Sequence, residues 1–214
     1  MSLDTFERLS DSKQERIRSV GIRAFAERSY QDVSTDAVTK DCGISKGILF
    51  HYFGSKKGYY LYCLEQALQC LTVKTEAAFL GDFYEVLFDS MNRKMALCID
   101  HPNEMRMVNM ASRDTSAEIS EGKADLLQRY MGGIRLDSQK MLLAAFKQLN
   151  LREDLDRKKA AEGLFLYIQA VLKRYLLQYQ EMPDQFFENR EAIKTEIRQY
   201  LDLMLNGVCR KEEP

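Results

Sequence analysis

Tryptophan is absent from this chain, and histidine and proline are scarce: the 214 residues include two His, three Pro and no Trp. With prolines only at 102, 183 and 214 and few β-branched runs, Leu, Ala, Met, Gln, Glu, Lys and Arg dominate, which favours helix nearly throughout. An all-α fold is predicted. The shortage of histidine also removes most acid–base chemistry. There is no Glu-x-x-His pair, nucleophile elbow, phosphate loop or metal-ligand spacing. His101, beside Pro102, reads as a helix-terminal residue rather than a catalyst. Neither an enzyme nor a cofactor is expected. The five cysteines (Cys42, Cys63, Cys70, Cys98 and Cys209) are odd in number and form no Cys-x-x-Cys. They suggest no disulfide framework or zinc site and fit a reducing cytosol. Cys63 and Cys70 share a helix face and read first as small buried apolar residues, with a redox switch the weaker reading. Long apolar runs are missing as well. The longest, Gly163 to Leu172, is too short to span a bilayer, and residues 1–30 carry charges throughout. The expectation is a cytoplasmic protein without a membrane partner.

Charge of one sign is not in excess. A net charge of -1 excludes a uniformly basic coat for nucleic acid. Locally, Lys40, Lys46, Lys56 and Lys57 outnumber Asp36 and Asp41 within residues 34–60, whereas the remainder from residue 61 is acidic on balance. Ordinary scatter produces differences of this size. A short cationic patch on an acidic body is the functional alternative.

The helical pattern is clear along the chain. Ile17, Val20, Gly21, Ala24 and Phe25 mark one face of a helix over about 11–27. Ser34 can cap a second helix, roughly Thr35 to Cys42, and Gly43 stands where a C-terminal residue must adopt positive φ. Ser45 can cap a third helix from Lys46. Two short helices joined by Gly43-Ile44-Ser45 have the sequence form of a helix-turn-helix. Ser55 can cap a fourth helix that continues past residue 70 to about residue 80 and connects the two parts of the chain. Further helices are predicted over 82–100, 103–112, 118–149 with a break near Gly132-Gly133, 153–181 and 184–207, about nine in all. The division is 1–55 as a DNA-binding domain and 56–214 as a helical bundle.

The third helix mixes two characters. Ile44, Leu49 and Phe53 have the spacing to face inward, which turns Lys46, Gly47, Phe50 and His51 outward. The major groove of B-DNA admits one helix, whose N-terminal residues reach base edges. Gly47 permits close approach. Lys46 can donate to guanine O6 or N7 or to a phosphate, His51 and Tyr52 to phosphate oxygens, and Lys56 adds charge beside a helix N-terminus that already favours anions.

These residues resemble a known family. Ala24-Phe25, Tyr30, Ser34-Thr35, Gly43-Ile44-Ser45-Lys46-Gly47, Leu49-Phe50-His51-Tyr52-Phe53 and Ser55-Lys56 follow, in order and spacing, the DNA-binding domain of the tetracycline-repressor (TetR) family of bacterial transcriptional regulators. The resemblance covers about fifty residues and implies DNA contacts from Ser34, Thr35, Ser45, Lys46, Gly47, Phe50, His51, Tyr52 and Lys56. Four positions depart from it. Ile48 and Phe50 replace residues that bring hydroxyls, which turns Phe50 toward a thymine methyl or sugar. Ser29 replaces the glycine that ends the first helix, and Lys57-Gly58 replaces an acidic pair, with Lys57 restoring phosphate affinity.

The resemblance further implies a homodimer on a palindromic operator in double-stranded DNA, most often a repressor, released by a small effector held in the bundle. Two stretches support dimerisation independently. Residues 164–177 are apolar on nearly every side, and Ile193, Ile197, Tyr200, Leu201 and Met204 repeat at a/d-like spacing, so two C-terminal helices can meet their symmetry mates. Packing within one subunit is the alternative. The ten Met, eleven Phe and eleven Tyr supply candidates for a largely apolar effector pocket: Met91, Met95, Met107, Met110, Tyr130, Phe146, Phe165 and Tyr167. Arg106, Arg113 and Arg135 are the cations that could meet an anionic ligand. The competing function is a DNA-binding regulator that acts through protein partners without an effector. A ligand-sized cavity favours the former and a filled core the latter.

Overall fold

In the computed structural model, residues 3–72, 82–179, 185 and 188–208 are described. Among them the chain forms ten helices and no strand. They are α1 (Leu3–Glu7), α2 (Asp11–Glu27), α3 (Thr35–Cys42), α4 (Lys46–Phe53), α5 (Lys56–Cys70), α6 (Phe83–Asp100), α7 (Pro102–Arg113), α8 (Ala117–Phe146), α9 (Arg157–Tyr179) and α10 (Arg190–Val208). The all-α prediction holds, and α3, the turn and α4 stand at the predicted residues. The extra helix is α1. Its Phe6 is buried against the rings of Tyr52, Phe53 and Tyr62, with centroids 5.1–5.7 Å away.

Two compact units form. The first comprises residues 1–74 and 96–134. Its core takes Ile17, Val20, Ile22 and Phe25 from α2, Leu49 and Phe53 from α4, Tyr59, Tyr60, Cys63, Leu64, Ala67 and Leu68 from α5, and Met107 and Ala111 from α7. Helices α2, α5 and α7 pack mutually. This compact unit therefore runs past residue 55, the boundary expected between functional domains. The first residues of α5 follow α4 directly, but its buried stripe completes the core that α2 begins.

The second unit comprises residues 75–95 and 135–214. Its core joins Phe83, Val86 and Leu87 of α6, Met141, Leu142, Ala145 and Phe146 of α8, Leu164, Ile168, Val171 and Tyr175 of α9, and Ile193, Ile197, Leu201 and Leu205 of α10. The α9 and α10 residues recur every three or four positions, so each helix buries one stripe, and the two helices pack together. Each fully buried large side chain contributes about 1.5–3 kcal/mol.

Boundaries differ from the sequence pattern in three places. α5 ends at Cys70, where the Leu71 and Thr72 amides bond back to Ala67 and Gln69, and the extension predicted to residue 80 falls on residues 73–81, outside the described ones. α8 runs unbroken through Gly132-Gly133, and a Cβ at either position would meet nothing within 4 Å. Pro102 opens α7 instead of separating two segments, because its missing N–H costs nothing in the first helical turn.

Candidate nucleic-acid interface

Three serines set the geometry of this surface. Ser34 Oγ accepts from the Ala37 amide at 3.3 Å, Ser45 Oγ from Ile48 at 3.2 Å and Ser55 Oγ from Gly58 at 3.1 Å. Each satisfies an amide that a helix N-terminus leaves orphaned, and each keeps its own O–H to donate to a phosphate. Between α3 and α4, Gly43 sits at φ 71° and ψ 32°, a left-handed conformation that glycine adopts without steric cost. Its amide and that of Ile44 close onto Lys40 and Thr39, which ends α3 and turns the chain into α4. Arg16 of α2 completes this end, since Nε and Nη2 donate to the Asp41 carbonyl at 3.1 and 2.9 Å.

Helix α4 is two-sided. Leu49 is 0% exposed and Phe53 is buried, with Ile44 half-buried beside them. Lys46, Gly47, Ile48 and His51 are exposed. A Cβ at Gly47 would meet only Ser45 Oγ, at 3.8 Å, so nothing within the protein requires glycine there. Ile48 leaves 41% of its surface in solvent on this same face. Phe50, expected to point outward, is half-buried against the core and presents only part of its ring. Tyr52 is likewise half-buried, held edge-on by Phe6 at 5.7 Å, and Thr35 is half-buried at the start of α3.

Two cations of the surface, Lys46 and Lys56, already have partners. Lys46 Nζ lies 3.0 Å from Asp36 Oδ1. Both side chains are largely exposed, and such pairs contribute only about 0–1 kcal/mol, so an arriving phosphate or guanine competes easily. Lys56 Nζ sits 4.9 Å from the centre of the Tyr30 ring and donates to the Gln31 carbonyl at 3.1 Å. Burial pulls the pKa of this lysine down. The exposed His51 ring lies 5.8 Å from that of Tyr52.

Residues 17–62 match the family profile described as bacterial regulatory proteins, tetR family. The fold agrees with that match. A TetR family transcriptional regulator from Chloroflexus aurantiacus J-10-FL is similar over 97% of this chain and 98% of its own, at 22% identity and a TM-score of 0.63. A transcriptional regulator from Rhodococcus sp. Rha1 covers 92% and 98%, at 18% identity and a TM-score of 0.65. The fatty acid degradation regulator FadR of Bacillus halodurans covers 90% and 98%, at 15% identity and a TM-score of 0.55. No curated protein matches. Residues 17–62 are thus similar to the tetR-family DNA-binding segment, and the chain shares its fold with these solved regulators. Within the matched segment α4 is the second helix of a helix-turn-helix.

In this chain the helix-turn-helix is tied to α7 by a contact that the sequence does not announce. The Tyr30 amide donates to Asp114 Oδ2 at 2.7 Å, across 84 residues. Burial works to raise the Asp114 carboxyl. Hydrogen bonds from Ser116 and the Tyr30 amide, with Lys123 nearby, outweigh it and hold the group below its ordinary value of 3.8. Arg16 was equally hidden, because its role depends on α2 crossing the end of α3. An arginine on an amphipathic helix otherwise reads as a solvated charge.

The candidate effector residues do not gather at one place. Met107 is fully buried in the core of the first unit. Met110 is half-buried. The Tyr130 hydroxyl bonds to Gln69 and Glu65 at 2.9 and 3.2 Å. Met91 and Tyr167 pack partly buried against the second core, and the Met95 side chain lies outside the described ones. Phe146 and Phe165 line a cavity of about 620 Å³ in the second unit, with Leu142, Leu164 and Ile168. Lys147, Arg157 and Lys158 also line it, along with Glu162, rather than Arg106 or Arg113. Arg135 lies outside the described side chains.

Proposed function

We propose that this protein is a dimeric transcriptional repressor that binds a palindromic operator through α4 and is released from it by a small, largely apolar effector. In this reading it acts in the cytoplasm and catalyses no reaction. The observation that carries the reading is the outer face of α4. Lys46, Gly47, Ile48 and His51 stand exposed on a helix whose opposite side is locked into the core, and its N-terminus is capped by Ser45. That is a rigid helix with a small, cationic and apolar face, matched to a groove floor and its phosphates.

Two further observations support the dimer and the effector. Leu166 on α9 is 63% exposed and Leu203 on α10 is 72% exposed, although both helices bury their other stripes. Exposed apolar groups on adjoining helices suit a partner surface. A dimer also sets two recognition helices about 34–36 Å apart, for successive major grooves. The cavity at α8 and α9 has the size of a small-molecule site. Its apolar walls and cationic residues fit an apolar body bearing an acidic group, and they favour an effector over regulation through protein partners alone. The cavity engages α8. That helix continues N-terminally to Gly122, where a Cβ would fall 2.7 Å from Leu61 of α5. A shift of α8 would press on α5, which is joined to α4. A coupling of about 1–3 kcal/mol would change DNA affinity about 5–150-fold.

The test is a gel shift with DNA upstream of the protein's own and adjacent genes, using Lys46→Ala as control. Sequence-specific binding that Lys46→Ala abolishes is expected. Equal binding to random DNA would overturn the assignment, and an unchanged operator affinity across a panel of apolar acids would remove the effector from it.

A further inference from the structure

Outside the DNA-binding surface and the cavity, one group of side chains has no role in the reading above. Cys70 is the last residue of α5, His101 precedes α7, and Glu104 lies in the first turn of α7. Their Sγ, imidazole nitrogen and carboxylate oxygen all lie within 4.8 Å of one another, and all three residues are half-buried. We propose that Cys70, His101 and Glu104 form a binding site for a divalent transition metal of zinc-like character.

The donor set carries the argument. A cluster of carboxylates alone would suit a hard cation or none. One thiolate, one imidazole and one carboxylate instead favour a borderline ion over magnesium or calcium. Zinc bonds of about 2.0–2.3 Å in a tetrahedron place neighbouring donor atoms about 3.3–3.8 Å apart. The three donors therefore need to close by about 1 Å, within reach of side-chain rotation. His101, the residue before α7, and Glu104, in its first turn, bring their donor atoms to one place at the start of the helix. The His101 side chain forms no capping hydrogen bond to α7, although it occupies the capping position. Three protein donors leave a fourth position for water or another ligand. A bound ion would pin the C-terminal end of α5 to the corner between α6 and α7, and the Cys70 thiol would release its proton on binding.

The full-length protein, reduced and freed of metal, is titrated with Co²⁺ and followed by absorption. One equivalent is expected to bind, with a sulfur-to-cobalt charge-transfer band and the intense ligand-field bands of tetrahedral cobalt, and Zn²⁺ should displace it. Cys70→Ser should abolish the charge-transfer band. Residues that only orient metal ligands contribute about 10–100-fold to affinity, so Glu104→Gln and His101→Asn should each weaken binding by about tenfold or more. Asn is itself a good capping residue, so His101→Asn removes the imidazole and keeps the helix start. Far-UV circular dichroism checks that each variant is folded. Cys98→Ser and Cys209→Ser should retain the band. Absence of the band at one equivalent, its survival in Cys70→Ser, or affinity unchanged in both Glu104→Gln and His101→Asn would overturn the site.

Discussion

The Tyr59 hydroxyl donates a buried hydrogen bond of 2.6 Å to the Ile17 carbonyl, joining α5 to α2. The helices approach closely enough for this because position 21 is glycine: a Cβ there would fall 2.3 Å from Tyr59 Oη and 2.5 Å from Cys63 Sγ. Arg16, next to Ile17 on α2, holds the end of α3, and α5 follows α4 directly, so the bond joins the helices on either side of the helix-turn-helix.

Tyr59→Phe removes the donor and keeps the ring. A net loss of about 0.5–1.5 kcal/mol is expected. Urea unfolding should show a lower midpoint with an unchanged slope, since the surface exposed on unfolding is the same.

Alkali should destabilise the fold. Burial raises the Cys63 thiol well above its ordinary 9.0, and the Tyr62 phenol is pushed up from 10.0 to about 12, chiefly by burial. Both groups are neutral when protonated, and the folded state keeps the proton to higher pH than the unfolded chain. Their stabilisation is therefore complete below the unfolded values and is lost as pH rises from about 9 through the folded ones. Urea midpoints measured from pH 8 to 11 should fall, and Cys63→Ala should flatten the first part of that decline.

Gly47→Ala separates folding from DNA binding. Since a Cβ at position 47 meets only Ser45 Oγ, the fold should tolerate it, and alanine's helix propensity adds up to about 1 kcal/mol. Thermal unfolding should be unchanged or raised. Operator affinity, read by fluorescence anisotropy, should fall if α4 lies close to the groove floor; undiminished affinity would place the groove contact elsewhere.

Leu203→Glu tests the dimer. The side chain is 72% exposed in the single chain, so a monomer should fold with this change. Sedimentation should show a shift toward monomer, and half-site spacing should cease to matter for DNA binding.

The helix-turn-helix was legible because its determinants are local. Ser34, Gly43 and Ser45 each act within four residues of themselves, through caps and one left-handed turn. The inward side of α4 was legible for the same reason, since Leu49 and Phe53 are four apart. Phe50 was not. Its half-burial comes from packing against the core of the first unit, which helical spacing cannot report.

Composition, caps and helical period by themselves determined that this chain is all-α, where α3 and α4 begin and end, and which residues of α4 anchor it, because those forces act over one or two turns. The tertiary structure alone decided what meets across long stretches of chain. Phe6 against Tyr62, the Tyr30 amide against Asp114, and Tyr59 against Ile17 are contacts of this kind. Cys70 beside His101 and Glu104 is another, and its donors lie 31 and 34 residues apart in sequence, with no spacing rule to connect them. Helix packing brings such residues together, and burial of apolar surface, which carries no sequence register, drives that packing.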